Sequence, residues 1–401
     1  MQRGRSLTDI ILTGGLVAEN SVAIETVSTV EGVAALAPSL DRLLEITGNT
    51  LPFALPEWHL AWCHHFLNCN PHIREELRFC VLRKASGSCV AIVPLVASRR
   101  HLGPLKIESI SLLGADPAIT ELRAPIILPG YEYLTANAVQ RHLAAIGGWD
   151  WIHWTGIAEP FAAALAVGGR LIRQPALQDF VLDLAPTWEE FRRGLKRNIR
   201  ESLRHCYNSL KRDHHRFELQ VIRDPADVRR SLERFLELHI MRANLMTAEV
   251  HNNRFASAVA RNFLFEVCER LARRGVLRVF ELKIEGKIVA SRIGFLVGDS
   301  LYLYYSGFDP RWSRYSVMTT TVAEAIKYAI SQGLKTVNLS PTKDISKMRW
   351  GPRQIDYSSA FELSGRLRSR LANRAYLNLR SGTAEQFSFL RRLMPGRHDW
   401  L

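Results

Sequence analysis

The second half of the chain shows a regular succession of amphipathic and β-rich segments. Asp224 followed by Pro225 is typical of a helix N-terminus. Glycines mark the ends of two predicted helices, and two short glycine-containing turns connect predicted strands. Apolar spacing then separates helices from strands. The predicted elements are strand 217–222, helices 224–245 and 254–274, strands 276–284, 287–297 and 301–306, helix 316–332 and strand 335–339.

The first half repeats this order with different residues. The predicted elements are strand 22–27, helices 34–45 and 57–66, strands 77–82, 90–98 and 107–113, helix 132–146 and strand 151–155. Two lobes with one element order indicate a duplicated α/β fold with mixed sheets. The predicted divisions are an N-terminal extension 1–21, an N-terminal lobe 22–160, a connector 161–216, a C-terminal lobe 217–363 and a basic tail 364–401.

The connector contains a predicted amphipathic helix of unusual charge. Thr187 and Glu190 form a capping box at its start. From Arg192 to Arg212 there are eight Lys or Arg residues and one acid, Glu201. Such a face could bind RNA or anionic lipid, or it could be an ordinary solvated surface.

Composition narrows the classes of protein that fit. The chain has 401 residues, enough for two domains, and 47% hydrophobic with 23% charged residues is a globular balance. No apolar stretch approaches the roughly 18 residues of a membrane span. A net charge of +14 favours an anionic partner. Six dispersed cysteines fit a reducing cytoplasm, and we expect no signal peptide.

Common catalytic and metal motifs do not fit this sequence. Cys63, His64, His65, Cys69 and His72 cluster, but their spacing matches no common zinc pattern, so we expect no metal. The chain also lacks a phosphate-binding P-loop, a nucleophile elbow and a dinucleotide fingerprint.

A set of short motifs carries a resemblance to a known family. The motifs are Leu238-His239 with Arg242, Ser306-Gly307-Phe308-Asp309-Pro310, Tyr315-Ser316, Lys347 with Trp350-Gly351, and, in the first half, Pro52-Phe53, Pro56-Glu57-Trp58, Val90–Leu95 and Trp149-Asp150. Together, over about residues 30–360, they resemble the GNAT-like acetyltransferases of the CelD/BcsL type, which are associated with cellulose biosynthesis. The resemblance implies two tandem GNAT-like lobes, as in the FemAB aminoacyltransferases, and acetyl-CoA or another acyl-CoA as donor.

The start of the predicted helix at Ser316 is the best candidate for cofactor binding. Free N–H groups and the positive end of the helix dipole attract a pyrophosphate, and nearby arginines can add contacts. An ordinary helix start is the alternative. The predicted cofactor-binding residues are Arg311, Arg314, Tyr315, Ser316, Val317, Met318 and Thr319.

Acyl transfer needs a base that takes a proton from the acceptor and a hydrogen-bond donor that polarises the thioester carbonyl or protonates the leaving thiolate. We predict Asp309 as the base and Tyr304 and Tyr305 as donors, although a turn aspartate and packing tyrosines would look the same. The predicted substrate-binding residues are His239, Arg242, Lys347 and Trp350. The alternative for His239 is a buried core histidine, and the alternative for the segment with Lys347 and Trp350 is a solvated basic loop.

Three functional hypotheses follow. The first is a cytoplasmic, acyl-CoA-dependent N- or O-acyltransferase of exopolysaccharide or cell-envelope synthesis, with an anionic acceptor or a glycan precursor. The second is a FemAB-like transferase that uses aminoacyl-tRNA. The third is a catalytically degenerate accessory protein that contacts a polysaccharide synthase or a membrane surface. Nucleic acid is the least expected partner.

Overall fold

The structure is a computed structural model that describes residues 22–102, 105–114, 119–123, 125–168, 171–245, 251–371 and 373. The predicted extension 1–21 and most of the predicted tail lie outside the described residues. Among the described helices, none has the length and apolar character that crossing a bilayer requires.

The N-terminal lobe follows the predicted order. Its elements are β1 (Val22–Val27), α1 (Val30–Ala35), α2 (Ala37–Thr47), α3 (Pro56–Phe66), β2 (Ile73–Lys84), β3 (Cys89–Leu102), β4 (Leu105–Leu112), β5 (Ile126–Ile127), α4 (Glu132–Ile146), β6 (Trp151–Ile157), α5 (Glu159–Ala166) and β7 (Leu171–Asp183).

Two helices lead into the C-terminal lobe, which has the same order. The elements are α6 (Trp188–Gly194), α7 (Arg197–Arg212), β8 (Phe217–Ile222), α8 (Pro225–Ala243), α9 (Ala258–Arg273), β9 (Leu277–Ile284), β10 (Lys287–Val297), β11 (Ser300–Phe308), α10 (Val317–Ser331), β12 (Thr336–Asn338), α11 (Ile345–Met348) and β13 (Arg353–Leu363).

The two lobes share one 13-stranded sheet because each gives its last strand to the other. The strand order is β1-β2-β3-β4-β6-β13-β7-β12-β11-β10-β9-β8, and the thirteenth strand, the two-residue β5, pairs with β3 outside this path. Strand β7 of the first lobe pairs with β12, and β13 of the second lobe pairs with β6. The same strands pair with each other at the centre. The order therefore reads the same from either edge, as expected for a duplicated unit.

The prediction of a mixed α/β fold with two similar lobes is confirmed. Four features differ from the sequence-based expectation, and the first is that the predicted helix 34–45 is two helices, α1 and α2. The stretch predicted as a connector contains the central strand β7, and β13, assigned to the C-terminal lobe, lies beside the N-terminal strand β6. The predicted basic helix is two helices, since α6 ends at Gly194 and α7 begins at Arg197.

A single aromatic core joins the lobes on one face of the sheet. Phe53 and Trp58 of the N-terminal lobe lie 5.2 and 5.9 Å from the rings of Tyr302 and Tyr304, respectively. Trp58 also packs edge-on against Phe263 of α9 at 5.3 Å. Aromatic groups bury large apolar areas, so this shared core fixes the lobes relative to each other.

Helix α8 approaches strand β11 unusually closely at Gly307. A Cβ atom at this position would lie 2.3 Å from the backbone nitrogen of His239 and 2.4 Å from the carbonyl carbon of Leu238. Only a residue without a side chain fits there. This contact holds α8 directly on the strand that lines the candidate site.

Candidate active site

Strands β11 and β12 separate in the middle of the C-terminal lobe. Their parallel pairing ends at Tyr302 and Asn338, whereas β11 continues to Phe308. Beside the opening, β11 has a bulge: Arg292 pairs with Ser306 and Gly294 with Leu303, so two tyrosines face one residue of β10. Diverging strands leave backbone groups available to a ligand, and bulges re-aim side chains at such places.

The first turn of α10 lies near this opening and has the properties of an anion site. Ser316, its N-cap, adopts a left-handed conformation with φ of 52°, and no acid lies in the first turn. The guanidinium Nη2 of Arg349 donates to Thr319 Oγ1 at 2.7 Å. The Nε of Arg349 is buried without a hydrogen-bond partner among the described residues. Burial lowers the pKa of this arginine, so an anion would relieve the desolvation cost.

A groove of about 320 Å³ runs between this turn and α7. Its walls combine polar side chains of α7 with the N-cap of α10 and the arginine. The lining residues are Asn198, Glu201, Ser202, His205, Ser316 and Arg349. The thiol of Cys206 points to the Ser316 carbonyl at 3.9 Å and ties the two helices together. The predicted basic helix is therefore one wall of the groove.

A polar cluster lies where the two lobes meet, around the last paired residues of β11 and β12. Tyr302 donates its hydroxyl to Glu121 Oε2 at 2.8 Å, and Glu121 comes from the N-terminal lobe. Asn338 donates to Asp179 of β7 at 2.6 Å. Burial raises the pKa of Glu121 to about 7 and also raises that of Asp179. A carboxyl group that titrates near neutrality can act as an acid or a base.

Two cations complete this cluster. Lys347 Nζ donates to the carbonyls of Ser340 and Thr342, both at 3.2 Å, and closes the loop after β12. Burial lowers its pKa. Arg292 donates from Nη2 to the Leu303 carbonyl at 3.4 Å, and its buried Nε has no partner among the described residues. Burial, with nearby like charge, lowers its pKa to about 10. Unpaired guanidinium donors can hold an anionic group of a substrate.

Comparison with known proteins assigns the C-terminal half. Residues 197–348 match the family model described as "Acetyltransferase (GNAT) domain". Residues 197–348 are therefore similar to GNAT acetyltransferase domains. No curated protein matches the chain by sequence. The GNAT match covers α7, the separating strands, α10 and Lys347, and it ends one residue before Arg349.

Solved structures of low sequence identity are similar to this chain over most of its length. FemX shares 10% identity, with 76% of this chain and 90% of that chain covered and a TM-score of 0.52. L-PGS from Bacillus licheniformis shares 14%, with 84% and 96% covered and a TM-score of 0.47. A tandem GNAT protein from the clavulanic acid biosynthesis pathway shares 12%, with 86% and 99% covered and a TM-score of 0.44. The predicted fold class, two tandem GNAT-like lobes, is confirmed.

The arginines predicted for the GNAT cofactor site are engaged locally. Arg311 forms a two-pronged ion pair with Asp309, with contacts of 2.7–3.0 Å. Its side chain is 83% exposed. Arg314 donates to the Tyr315 hydroxyl at 2.5 Å, and that hydroxyl donates to Asp213. Of the predicted set, Ser316 lines the groove and Thr319 accepts a hydrogen bond from Arg349. Val317 is buried, and Met318 is partly buried in the same apolar cluster.

The predicted catalytic residues of the GNAT lobe have partners that limit their chemistry. Hydrogen bonds from Arg311 lower the pKa of Asp309, which also caps the turn that follows. A carboxylate held in this way is a weak base at neutral pH. The Tyr304 hydroxyl donates to the Ile119 carbonyl at 2.6 Å in the buried core. Tyr305 is half-buried, with its ring 5.9 Å from that of His239.

The predicted substrate residues lie on two sides of the opening. His239 is buried, its Nδ1 is 2.9 Å from the Ser306 carbonyl, and burial lowers its pKa. Arg242 donates to Ser306 Oγ at 2.6 Å. Lys347 belongs to the interlobe cluster, whereas Trp350 is buried in the apolar core around α10.

Sequence reasoning missed several residues that the structure brings to the site. Glu121 lies in an irregular segment of the N-terminal lobe, and Asp179 lies on a strand that was not predicted. Arg292 and Tyr302 sit inside predicted strands without any motif. Arg349 is the exception, because it lies between Lys347 and Trp350 in a segment that the sequence already indicates for binding an anionic acceptor or cofactor phosphates. Among the described residues, no cluster of His, Cys, Asp and Glu could hold a metal.

Proposed function

We propose that this protein is an acyl-CoA-dependent N- or O-acyltransferase whose donor binds in the GNAT lobe. The observation that carries the proposal is the first turn of α10 together with Arg349, which donates to Thr319 and whose buried Nε has no partner among the described residues. A helix N-terminus with a guanidinium suits a diphosphate. The opening would then take the thioester arm, because β11 continues there without a strand partner on that side.

Binding of acetyl-CoA, followed by calorimetry and thermal shift, tests this site. Replacing Arg349 with Ala should weaken binding roughly 10–100-fold, the value of one or two charge-assisted contacts. Changing both Arg311 and Arg314 to Ala tests the site predicted from sequence and should have less effect, since both already have partners. Arg200→Ala on the exposed face of α7 is the matched control.

The outcomes of these measurements distinguish where the diphosphate binds from whether acyl-CoA is the donor at all. Unchanged affinity in Arg349→Ala, with loss in the Arg311 and Arg314 variant, would move the diphosphate to the preceding turn. Absence of binding for acetyl-CoA and longer acyl-CoAs in the wild type would reject an acyl-CoA donor.

An aminoacyl-tRNA donor is the second candidate, and the exposed basic face of the segment 192–204 favours it. Exposed cations on α6 and α7 form no ion pair within the part of the chain that the structure describes; they are Arg192, Arg193, Lys196, Arg200 and Arg204. Their charge suits a polyanion. Tight binding of charged over uncharged tRNA, without acyl-CoA binding, would favour this donor. Sequence-independent binding that collapses between roughly 50 and 200 mM salt would indicate general polyanion or membrane contact.

The biological setting rests on the CelD/BcsL-type resemblance. We propose a role in exopolysaccharide or cell-envelope synthesis in the cytoplasm, with an anionic acceptor or a glycan precursor. Arg292 at the lobe boundary, whose buried Nε has no partner among the described residues, supports an anionic acceptor. A non-catalytic accessory role at a polysaccharide synthase is the remaining possibility, and it predicts synthase or vesicle binding without acyl-CoA turnover.

A further inference from the structure

Glu121 reaches the GNAT lobe from outside it. The residue lies between β4 and α4 of the N-terminal lobe, yet its Oε2 accepts the hydroxyl hydrogen bond of Tyr302 at 2.8 Å. Tyr302 is the last residue of β11 that pairs with β12. The carboxyl group therefore lies beside the point where the pairing of β11 with β12 ends.

The groups that face Glu121 come from four elements. They are Tyr302 on β11, Lys347 after β12, Arg292 on β10 and Asp179 on β7. Burial and Asp179 favour the neutral acid, whereas the two cations and the tyrosine favour the carboxylate. The balance leaves the pKa of Glu121 at about 7. Both protonation states are then available at neutral pH.

Other carboxylates around the opening are less suited to accept a proton. Asp309 is paired on both oxygens with Arg311, which lowers its pKa. Asp179 is fully buried and accepts from Asn338. A base must reach the acceptor and must have a proton affinity matched to the working pH.

We infer that Glu121 is the general base for acyl transfer, supplied by the N-terminal lobe to the GNAT lobe, and that Tyr302 is its positioning residue. This inference rests on the proposed acyl-CoA-dependent function. The acceptor N–H or O–H proton passes to the Glu121 carboxylate while the acceptor lone pair bonds to the thioester carbonyl carbon. The C–S bond breaks, its electron pair leaves on sulfur, and Glu121 returns the proton to the thiolate. The products are the acylated acceptor and CoA thiol.

The test compares wild type with Glu121→Gln, using Glu233→Gln on the exposed face of α8 as a matched control. Acetyl-CoA binding is measured first, because Glu121 does not touch the α10 turn and its variant should bind normally. Release of CoA is then followed by chromatography with water and with hydroxylamine as acceptor probes. We expect a loss of roughly 100-fold or more in Glu121→Gln, the usual contribution of a general base.

The pH profile distinguishes a base from a structural residue. Wild-type turnover should rise through a midpoint near pH 7 as Glu121 ionises, and Glu121→Gln should lack this midpoint. Tyr302→Phe removes a hydrogen bond that favours the carboxylate, so the midpoint should move to higher pH. A merely structural tyrosine would leave the midpoint unchanged.

Stability provides a readout that needs no acceptor. A carboxyl with a raised pKa binds more protons folded than unfolded, so it makes the wild type lose stability as pH rises from about 4.5 to about 7. Glu121→Gln should lack this loss. Parallel melting curves against pH, or turnover within threefold of wild type with the same midpoint, would overturn the inference. Failure of wild type to bind acetyl-CoA would instead overturn the proposed function.

Discussion

The two lobes have the same element order and differ at the positions that matter for chemistry. In each, a parallel pair of three residues precedes the separation of two strands: β4 with β6 in the first lobe, and β11 with β12 in the second. Strand β4 pairs with β3 without a shift from Leu112 to Leu105, whereas β11 carries the bulge at Tyr304 and Tyr305. A duplicated scaffold thus keeps its pairing while one copy alone acquires the distortion that opens a site.

The helix that connects the two strands of each parallel pair shows the same contrast in charge. The first turn of α4 contains Glu132, whose carboxylate accepts from the Gly130 N–H at 2.8 Å. The first turn of α10 has no acid and meets Arg349 instead. A carboxylate at a helix N-terminus competes with an anionic ligand, and a guanidinium supports one. The N-terminal lobe has therefore become a partner that supplies walls and Glu121.

The largest loss of stability is expected at Gly307, where the close approach of α8 leaves no room for a side chain. Gly307→Ala would place a Cβ 2.3 Å from the His239 nitrogen, so α8 would have to move off β11. We expect a loss of about 3 kcal/mol in the free energy of unfolding, measured by urea denaturation. Gly194→Ala, with nothing within 4 Å of the new atom, is the control and should not destabilise. Equal stability of the two variants would contradict the close approach.

The second prediction gives α10 the charge of α4. Thr319→Glu would place a carboxylate beside Arg349, where Thr319 Oγ1 now accepts a hydrogen bond at 2.7 Å. We expect acetyl-CoA binding to weaken roughly 100-fold, about 2.7 kcal/mol, because the carboxylate occupies the arginine and repels the diphosphate. Glu132→Gln in the N-terminal lobe should leave affinity unchanged. Equal losses in both variants, by calorimetry, would mean that the lobes do not differ in this way.

Much of the architecture could be predicted because hydrophobic periodicity is a local property. The bounds of β1, β8 and α4 agree with the predicted ranges. Strands β7 and β13 are not predicted because their first halves are largely exposed and Pro175, an unfavourable residue for a central strand, lies within β7. Their place in the sheet depends on pairing between residues far apart in sequence, such as Phe361 with Ile172. No local pattern records such pairing.

The site was predicted in part for the same reason. The start of α10 was found because caps and helix starts are local signals, although Arg349, and not Arg311, is the cation beside it. Glu121 could not be found, because its pKa and its contact with Tyr302 arise only when the lobes pack together. The bulge in β11 likewise depends on its register with β10.

The third prediction concerns the hydrogen bonds that Tyr302 and Tyr304 of the C-terminal lobe donate to the N-terminal lobe. Tyr304→Phe removes the donor to the Ile119 carbonyl and leaves a buried acceptor without this partner. We expect a loss of about 2 kcal/mol in thermal or urea unfolding. Tyr302→Phe should cost less, because Glu121 has a pKa near 7 and can take up a proton when it loses this hydrogen bond. A smaller effect for Tyr304→Phe than for Tyr302→Phe would argue against this reading of the interface.

The smallest effect is expected where α3 and α9, the equivalent helices of the two lobes, meet at a charged contact. His64 and His65 of α3 lie 2.7 Å from the two carboxylate oxygens of Glu266, which also accepts from Arg270. Burial raises the pKa of Glu266, but hydrogen bonds from these three side chains outweigh it and lower the pKa overall. A lowered pKa gives stability that is present above about pH 4.5 and is lost as the pH falls through the folded value. Glu266→Gln should therefore lower the free energy of unfolding by about 1 kcal/mol or less at pH 7 and by progressively less below pH 4.5, as measured by urea unfolding at a series of pH values.

Glu269→Gln, one turn along the same helix and paired only loosely with Arg273 at 3.7 Å, is the control. A cost for Glu266→Gln that stays constant down to pH 3 would show that α3 and α9 are held by their apolar contacts alone.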